Sequence, residues 1–164
     1  MKSSYKDWSL EQVDSDLYAN YWNIIEFPNL IQSFNYGEVK KYQGWSPERF
    51  LLKNSIGKVY GLLQVLTKGT SISGYVVRIN RGPVFVKDPL LCSINQNDLF
   101  NILIAIRVLA LKKRWWYVSI APEIVKNDLN MEVFSNAGYR FKKSFEPYGS
   151  LRLGLSLSIE DIFM

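Results

Sequence analysis

The sequence predicts an α/β (α+β) domain whose mixed, mostly antiparallel sheet carries helices on both faces. Three observations lead there. Residues 49–80 hold three strand-like runs separated by turn signals, the pattern of a meander. The stretch from Asn97 to Arg114 sets Phe100, Leu103, Ile104, Val108 and Leu111 at helical spacing, then runs directly into the strand-like Trp115–Ala121. A further helical pattern over 126–136 closes with Asn136-Ala137-Gly138, a good C-terminal stop.

In chain order, Ser9-Leu10-Glu11-Gln12 has the form of a capping box. Val13, Leu17, Trp22 and Ile25 follow at roughly helical spacing, so a first helix is expected over 10–25. Phe27-Pro28-Asn29 breaks it. A short helix over 33–42 ends at Gly44, and strands are expected over 49–53, 58–67 and 74–80. The third is rich in β-branched residues and enters Arg81-Gly82-Pro83. There Gly82 is expected to supply unusual dihedrals, and Pro83 to stop further pairing. Asn97 caps the long helix, and strands over 139–143 and 151–157 follow the last full helix. Ser158-Ile159-Glu160-Asp161 opens another helix. The whole chain, 1–164, reads as one domain, with no repeat, linker or low-complexity tract.

Composition excludes several chemistries. Hydrophobic residues at 48% and charged residues at 21% suit a packed core rather than disorder. Histidine is absent, which removes His-based acid/base catalysis, Ser-His and Cys-His nucleophile pairs and most zinc sites; no metal and no cofactor are expected. The single cysteine, Cys92, cannot form an internal disulfide, and Met1–Asp14 has no signal-peptide character; both point to the cytoplasm. No apolar run approaches the ~18 residues of a transmembrane helix. A net charge of +5 suits a polyanionic partner, although the lysines are scattered.

Two segments carry more specific information. Residues 32–45 read Gln-Ser-Phe-Asn-Tyr-Gly-Glu-Val-Lys-Lys-Tyr-Gln-Gly-Trp. About forty residues on, the third strand closes with Arg81-Gly82-Pro83-Val84. With strand patterns between them, Gln32, Ser33, Tyr36, Val39, Lys40, Gly44 and Trp45, then the Arg-Gly-Pro-Val run, resemble the start of the FemABX family, the peptidoglycan bridge-forming aminoacyltransferases and their relatives. The element order is similar to the GNAT acyltransferase fold, and 133–141 look like that fold's final helix and following strand. The family builds each member from two GNAT-like halves, and this chain resembles the first. That resemblance implies transfer of an amino acid from aminoacyl-tRNA to an amine of a nucleotide-sugar or lipid-linked peptidoglycan precursor. It also implies a partner: a second GNAT-like half or a homo-oligomer.

The chain departs from the relatives in three ways. The Arg/Gln-x-x-Gly-x-Gly/Ala turn of acetyl-CoA enzymes is absent, because the glycines of 81–89 are wrongly spaced and Pro83 lacks an amide donor. Met164 falls just before the family's second half, so the chain is either a fragment or a stand-alone half. Ser119 and Ala121 stand where relatives often carry an Arg and an Asp.

Four residues are candidates for substrate binding, and no catalytic residue is assigned. Lys40 matches the family lysine that holds nucleotide-sugar phosphates, or is a solvated helix lysine. Trp45 stacks on a uracil or sugar face, or packs at a rim. Arg81 contacts phosphate with a rigid fork, or pairs locally with Asp88. Tyr117, or its neighbour Trp116, lines the precursor site, or is turned inward by strand alternation. Together they imply a sheet splayed near its middle, with Lys40 and Arg81 rimming one anionic cleft. A non-catalytic partner module and a CoA-dependent N-acyltransferase acting on a cell-surface sugar are the alternatives.

Overall fold

The structure, a computed structural model, describes residues 8–26, 28–86, 95–124 and 127–142. The expected α/β architecture is present, with a mixed sheet between two helical layers. Its strands are β1 (Trp8–Val13), β2 (Ser46–Asn54), β3 (Val59–Thr70), β4 (Gly74–Asn80), β5 (Val84–Phe85) and β6 (Trp115–Ala121). The order across the sheet is β1-β2-β3-β4-β6, with β5 added to β3. Every pairing is antiparallel except β4 with β6, which α3 (Gln96–Lys112) links by a crossover.

Strand alternation divides the core. Phe50, Leu52, Leu63, Val65, Val77 and Ile79 point to the face covered by Ile102, Ile106 and Ala110 of α3. Leu51 and Leu62 point the other way, onto Tyr18 of α1 (Ser15–Trp22) and Ile25. The second helix, α2 (Phe34–Lys41), shares that other face, over β2 and β3; α4 (Asp128–Asn136) packs on α3 through Val133 and Ala137.

The N-terminal segment departs from expectation. Residues 8–13 form a strand, not the start of a helix, and pair with β2 from Trp8↔Asn54 to Val13↔Arg49. The tertiary sheet overrides the local capping-box pattern, because pairing satisfies the backbone while burying Trp8, whose indole donates to Asp98 (3.0 Å). The helix begins at Ser15, and Asp14 is its cap, accepting from the Leu17 amide (2.8 Å). The long helix likewise starts earlier than expected, capped by Asn95 rather than Asn97, and α4 is capped by Asn127. Pro83 does not end pairing: Val84 and Phe85 join β3 opposite Leu62 and Gly61. Residues 139–142 form no strand; Lys143, the 151–157 strand and the helix from Ser158 lie outside the described residues.

One polar insertion organises the middle of the sheet. The β3–β4 ladder runs from Thr70↔Gly74 to Leu66↔Arg78 and stops. In that register Gln64 would face Asn80, but the buried Gln32 carboxamide lies between them. It accepts from the Gln64 amide (2.7 Å) and donates to the Gln64 carbonyl (3.0 Å) and the Asn80 carbonyl (2.8 Å). Gln32 thus replaces the missing rungs where β4 leaves β3 and β5 takes over. Gly82 makes room for it, since a Cβ there would meet the Gln32 carboxamide carbon at 2.6 Å. The left-handed dihedral of this turn falls on Arg81 (φ 52°), not on the glycine.

Single substitutions should read these contacts as stability. Asp14→Ala should lower unfolding free energy by about 1 kcal/mol, and Ser9→Ala by under about 0.5, in urea denaturation. Gln32→Ala should cost about 3 kcal/mol by stranding three backbone groups. Gly82→Ala should cost about 2 kcal/mol in the native background and about 1 less beside Gln32→Ala, a non-additivity that a double-mutant cycle reads directly.

Candidate functional site

The site lies at the C-terminal end of α2. Ser33 caps this helix, its hydroxyl accepting from the Tyr36 amide (3.2 Å), and Lys40 and Lys41 sit in the last turn, where the helix dipole favours cations. Gly44 (φ 76°) reverses the chain, and the Trp45 amide returns to the Lys40 carbonyl (3.2 Å). Trp45 is thereby laid beside the outer face of β3 and β4. The Arg78 guanidinium stands 5.1 Å from its ring centre and the Lys68 ammonium 5.8 Å. Lys68 also donates to the Gln43 carbonyl (3.4 Å).

Among the described residues, the part of this face that no helix covers continues across β6. Val76 pairs with Tyr117 and Arg78 with Ser119, so the pleat brings Tyr117 and Ser119 up beside Val76 and Arg78. Tyr117 is half-exposed. Trp45 and Tyr117, singled out in the sequence, therefore flank the same open strip of sheet. Lys40 is at its edge, its ammonium donating to Gln43 Oε1 (2.8 Å) and standing 5.1 Å from the Tyr36 ring centre.

Arg81 is elsewhere. It sits at the far end of β4, near the helical turn Leu30–Gln32 that leads into the start of α2, whereas Lys40 is at that helix's end. Asn29 donates to the Arg81 carbonyl (2.9 Å) and to Glu123 (3.3 Å), and the Arg81 guanidinium pairs with Glu123 (3.3 Å). Asp88, the partner considered from sequence, lies outside the described residues. The sheet does part near its middle, between β3 and β4, but the Gln32 carboxamide fills the gap and no cleft for Lys40 and Arg81 results. β4 and β6 stay paired through Asn80↔Ala121, and the Arg81 amide extends the ladder to Ala121 (2.7 Å). Lys40 and Arg81 do not form one clamp.

Sequence reading missed Arg78 and Lys68 as site residues. Arg78 had a signal: it is the charged outward position of the alternating run Val76-Val77-Arg78-Ile79. Lys68 had none, since its role depends on where Gly44 turns Trp45.

Ionisation is set by burial and close partners. Glu38 accepts from Lys41 (2.6 Å) and Arg49 (2.7 Å), which hold its carboxyl below the usual carboxylate range, so it carries no proton to donate near neutrality. Arg49 also binds Gln64 Oε1 (3.1 Å) and lies 4.3 Å from the Phe34 ring centre, anchoring α2 to the sheet. Burial pushes the Tyr18 phenol well above its ordinary range; its hydroxyl donates to the Gln32 carbonyl (2.7 Å). Burial pushes Tyr139 up to about 12, against the nearby Arg107 charge. A separate hollow of about 260 Å³ is lined by Trp8, Asn54, Ser55, Tyr60 and Asp98. Its carboxylate is already engaged by Trp8 and by Asn95 (2.9 Å). Among the described residues no cluster of three or more His, Cys, Asp or Glu could hold a metal ion.

Fold and strip together define a class: a GNAT-like α/β domain with a cationic, aromatic surface beside its second helix. No protein-family model matches the chain, and no curated protein matches it in sequence. Among solved structures it is similar to the crystal structure of FemX, with a TM-score of 0.59 and 21% identity over 84% of this chain. The chain spans 34% of the FemX chain's length. A probable acetyltransferase superposes with a TM-score of 0.48 and 14% identity, over 88% of this chain and 97% of that one. The likeness to FemX establishes the fold and agrees with the FemABX resemblance of residues 32–45 and 81–84. No helix among the described residues is long and apolar enough to cross a membrane.

Two tyrosines raised by burial, Tyr18 and Tyr139, oppose unfolding less as pH becomes alkaline, and Tyr139 gives the measurable share. Tyr139 is neutral in the fold up to about pH 12 but ionises near 10.0 when unfolded. Its contribution is full below pH 10 and is lost as pH rises through 12. Tyr139→Phe should make the fall in thermal midpoint across that window shallower, while costing about 1 kcal/mol at neutral pH through the lost bond to the Leu103 carbonyl (3.1 Å).

Proposed function

We propose that this chain is a FemABX-type acyltransferase half, working in transfer of an amino acid from aminoacyl-tRNA to an amine of a peptidoglycan precursor. The observation that carries the reading is the placement of Trp45 beside Arg78 and Lys68, on an open sheet face that Tyr117 shares, in a FemX-like fold. The two cations suit the phosphates of a nucleotide-sugar or lipid-linked precursor, and Trp45 and Tyr117 offer flat faces to a base or sugar. Lys40 adds positive charge at the edge of the same strip. In the reaction the precursor amine forms a bond to the acyl carbon and the ester oxygen of the tRNA leaves. Catalysis then consists of aligning the two and stabilising the oxyanion between them.

Among the described residues the carboxylate beside the strip, Glu38, is held in ion pairs with Lys41 and Arg49 and is not a free general base. We therefore assign the reacting groups to a second GNAT-like half or to another copy, and expect no turnover by this chain alone. Coenzyme A is not part of the proposal. The Arg81 amide is bonded to Ala121, Pro83 has none, and Gly82 is packed on Gln32, so this turn offers a pyrophosphate little.

Calorimetric titration with a uridine-diphosphate sugar-peptide and, in parallel, with coenzyme A tests this. The sugar-peptide should bind and coenzyme A should not. Trp45→Ala and Arg78→Ala should each weaken binding about tenfold with unchanged folding. Binding of coenzyme A alone would favour the N-acyltransferase reading, and binding of neither would favour a partner module.

A further inference from the structure

The strip that holds Trp45 continues to the far end of the sheet and changes character there. The β3–β4 turn presents Ile72 at its tip, 91% exposed. The turn is braced: the Thr70 and Ser73 hydroxyls are bonded (2.8 Å), and the Ser73 amide donates to Thr70 Oγ1 (3.1 Å). An isoleucine held rigidly in water contributes nothing to the core. Next to it, Trp116 lies over Gly74, whose Cβ would meet the indole at 2.5 Å, yet Trp116 is 74% exposed. Val76 and Tyr117 continue the apolar surface inward.

Charge accompanies this edge. No aspartate or glutamate stands between Glu48 and Asp88, or between Asp98 and Glu123. Those acid-free stretches contain β3, β4, β6 and all of α3 after Asp98. Lys112 and Arg114 are exposed where α3 meets β6, and the Arg114 carbonyl accepts from Tyr75 (3.3 Å), at the Trp116 end of the sheet. Arg114 has φ 57°, a conformation that glycine or asparagine adopts at lower cost, so the fold alone does not ask for arginine.

We propose that this edge docks on an anionic lipid surface, with Ile72 and Trp116 entering the headgroup region and Lys112 and Arg114 facing lipid phosphates. Exposed tryptophan and tyrosine beside one aliphatic tip, with Lys112 and Arg114 exposed at the same edge and the Glu48 carboxylate there paired with Lys113 (2.7 Å), match the chemistry of that interface. A nucleic acid would use the same cations but would gain little from Ile72, which has no flat face to stack. Docking this way holds the Trp45 strip beside the lipid surface. The inference does not depend on what that strip binds.

Vesicle co-sedimentation tests it, using phosphatidylcholine alone and roughly three parts phosphatidylcholine to one of phosphatidylglycerol. The chain should partition onto the anionic vesicles about tenfold more strongly, and less as salt rises. Ile72→Ser and Trp116→Ala should each reduce partitioning about tenfold, and Lys112→Gln with Arg114→Asn should reduce it at least as far. All four positions are exposed, and circular dichroism should report an unchanged fold; Ile72→Ser, which lies in no strand, decides the matter if Trp116→Ala perturbs β6. Failure to bind anionic vesicles at low salt would overturn the proposal, as would binding indifferent to Ile72→Ser. Binding of transfer RNA through Lys112 and Arg114 without vesicle binding would overturn it in favour of a nucleic-acid surface.

Discussion

The Gln32 carboxamide is the interaction on which the arrangement depends. A sheet whose fourth strand leaves its neighbour would expose backbone groups to the interior, and a buried, unpaired amide or carbonyl costs about 1–3 kcal/mol. Gln32 supplies the missing donors and acceptor from outside the sheet. Its own carbonyl is held by Tyr18, and Gln64 Nε2 reaches back to the Ser33 carbonyl (2.9 Å). Among the described residues no buried side-chain polar atom lacks a partner, so this network is complete rather than a source of strain.

Completeness has a consequence for the surface. Because Gln32 pins the turn before α2 to β3 and β4, α2 lies over β2 and β3 and stops short of β4 and β6. Arg49 reinforces that position through Glu38, Gln64 and the Phe34 ring. The uncovered strands then present Val76, Arg78, Tyr117 and Ser119, and the chain leaving α2 delivers Trp45 to their margin. The open strip follows from the plug. The same geometry explains why residues 32–33 and 81–84, far apart in sequence, occur together: Gln32 sits against Gly82, and Ser33 caps the helix that Gln32 anchors.

Much of this was legible beforehand. The three-strand meander, the Gly74–Asn80 and Trp115–Ala121 strands and the order of the last two full helices could be read from alternation, helical spacing and stop signals, because those patterns are local. The first element was not. A capping box and a helical spacing of apolar residues in 9–25 competed with pairing to β2, and the partner lies some forty residues away. The two-residue strand after Pro83 was hidden for the same reason, since its pairing depends on β3 having been vacated by β4.

By itself the sequence determined the architecture, the absence of histidine chemistry, and the signature residues that tie the chain in resemblance to FemABX proteins. Only the tertiary structure decided how those residues meet. Gln32 became a plug, Gly82 a space for it, and Arg81 a partner of Glu123 rather than of Lys40. Arg78 and Lys68 came to Trp45 through strand register, which sets faces with a period of two and depends on hydrogen bonds between distant segments. Residue type and spacing along one chain specify which groups are available; the pairing of strands specifies which of them share a surface.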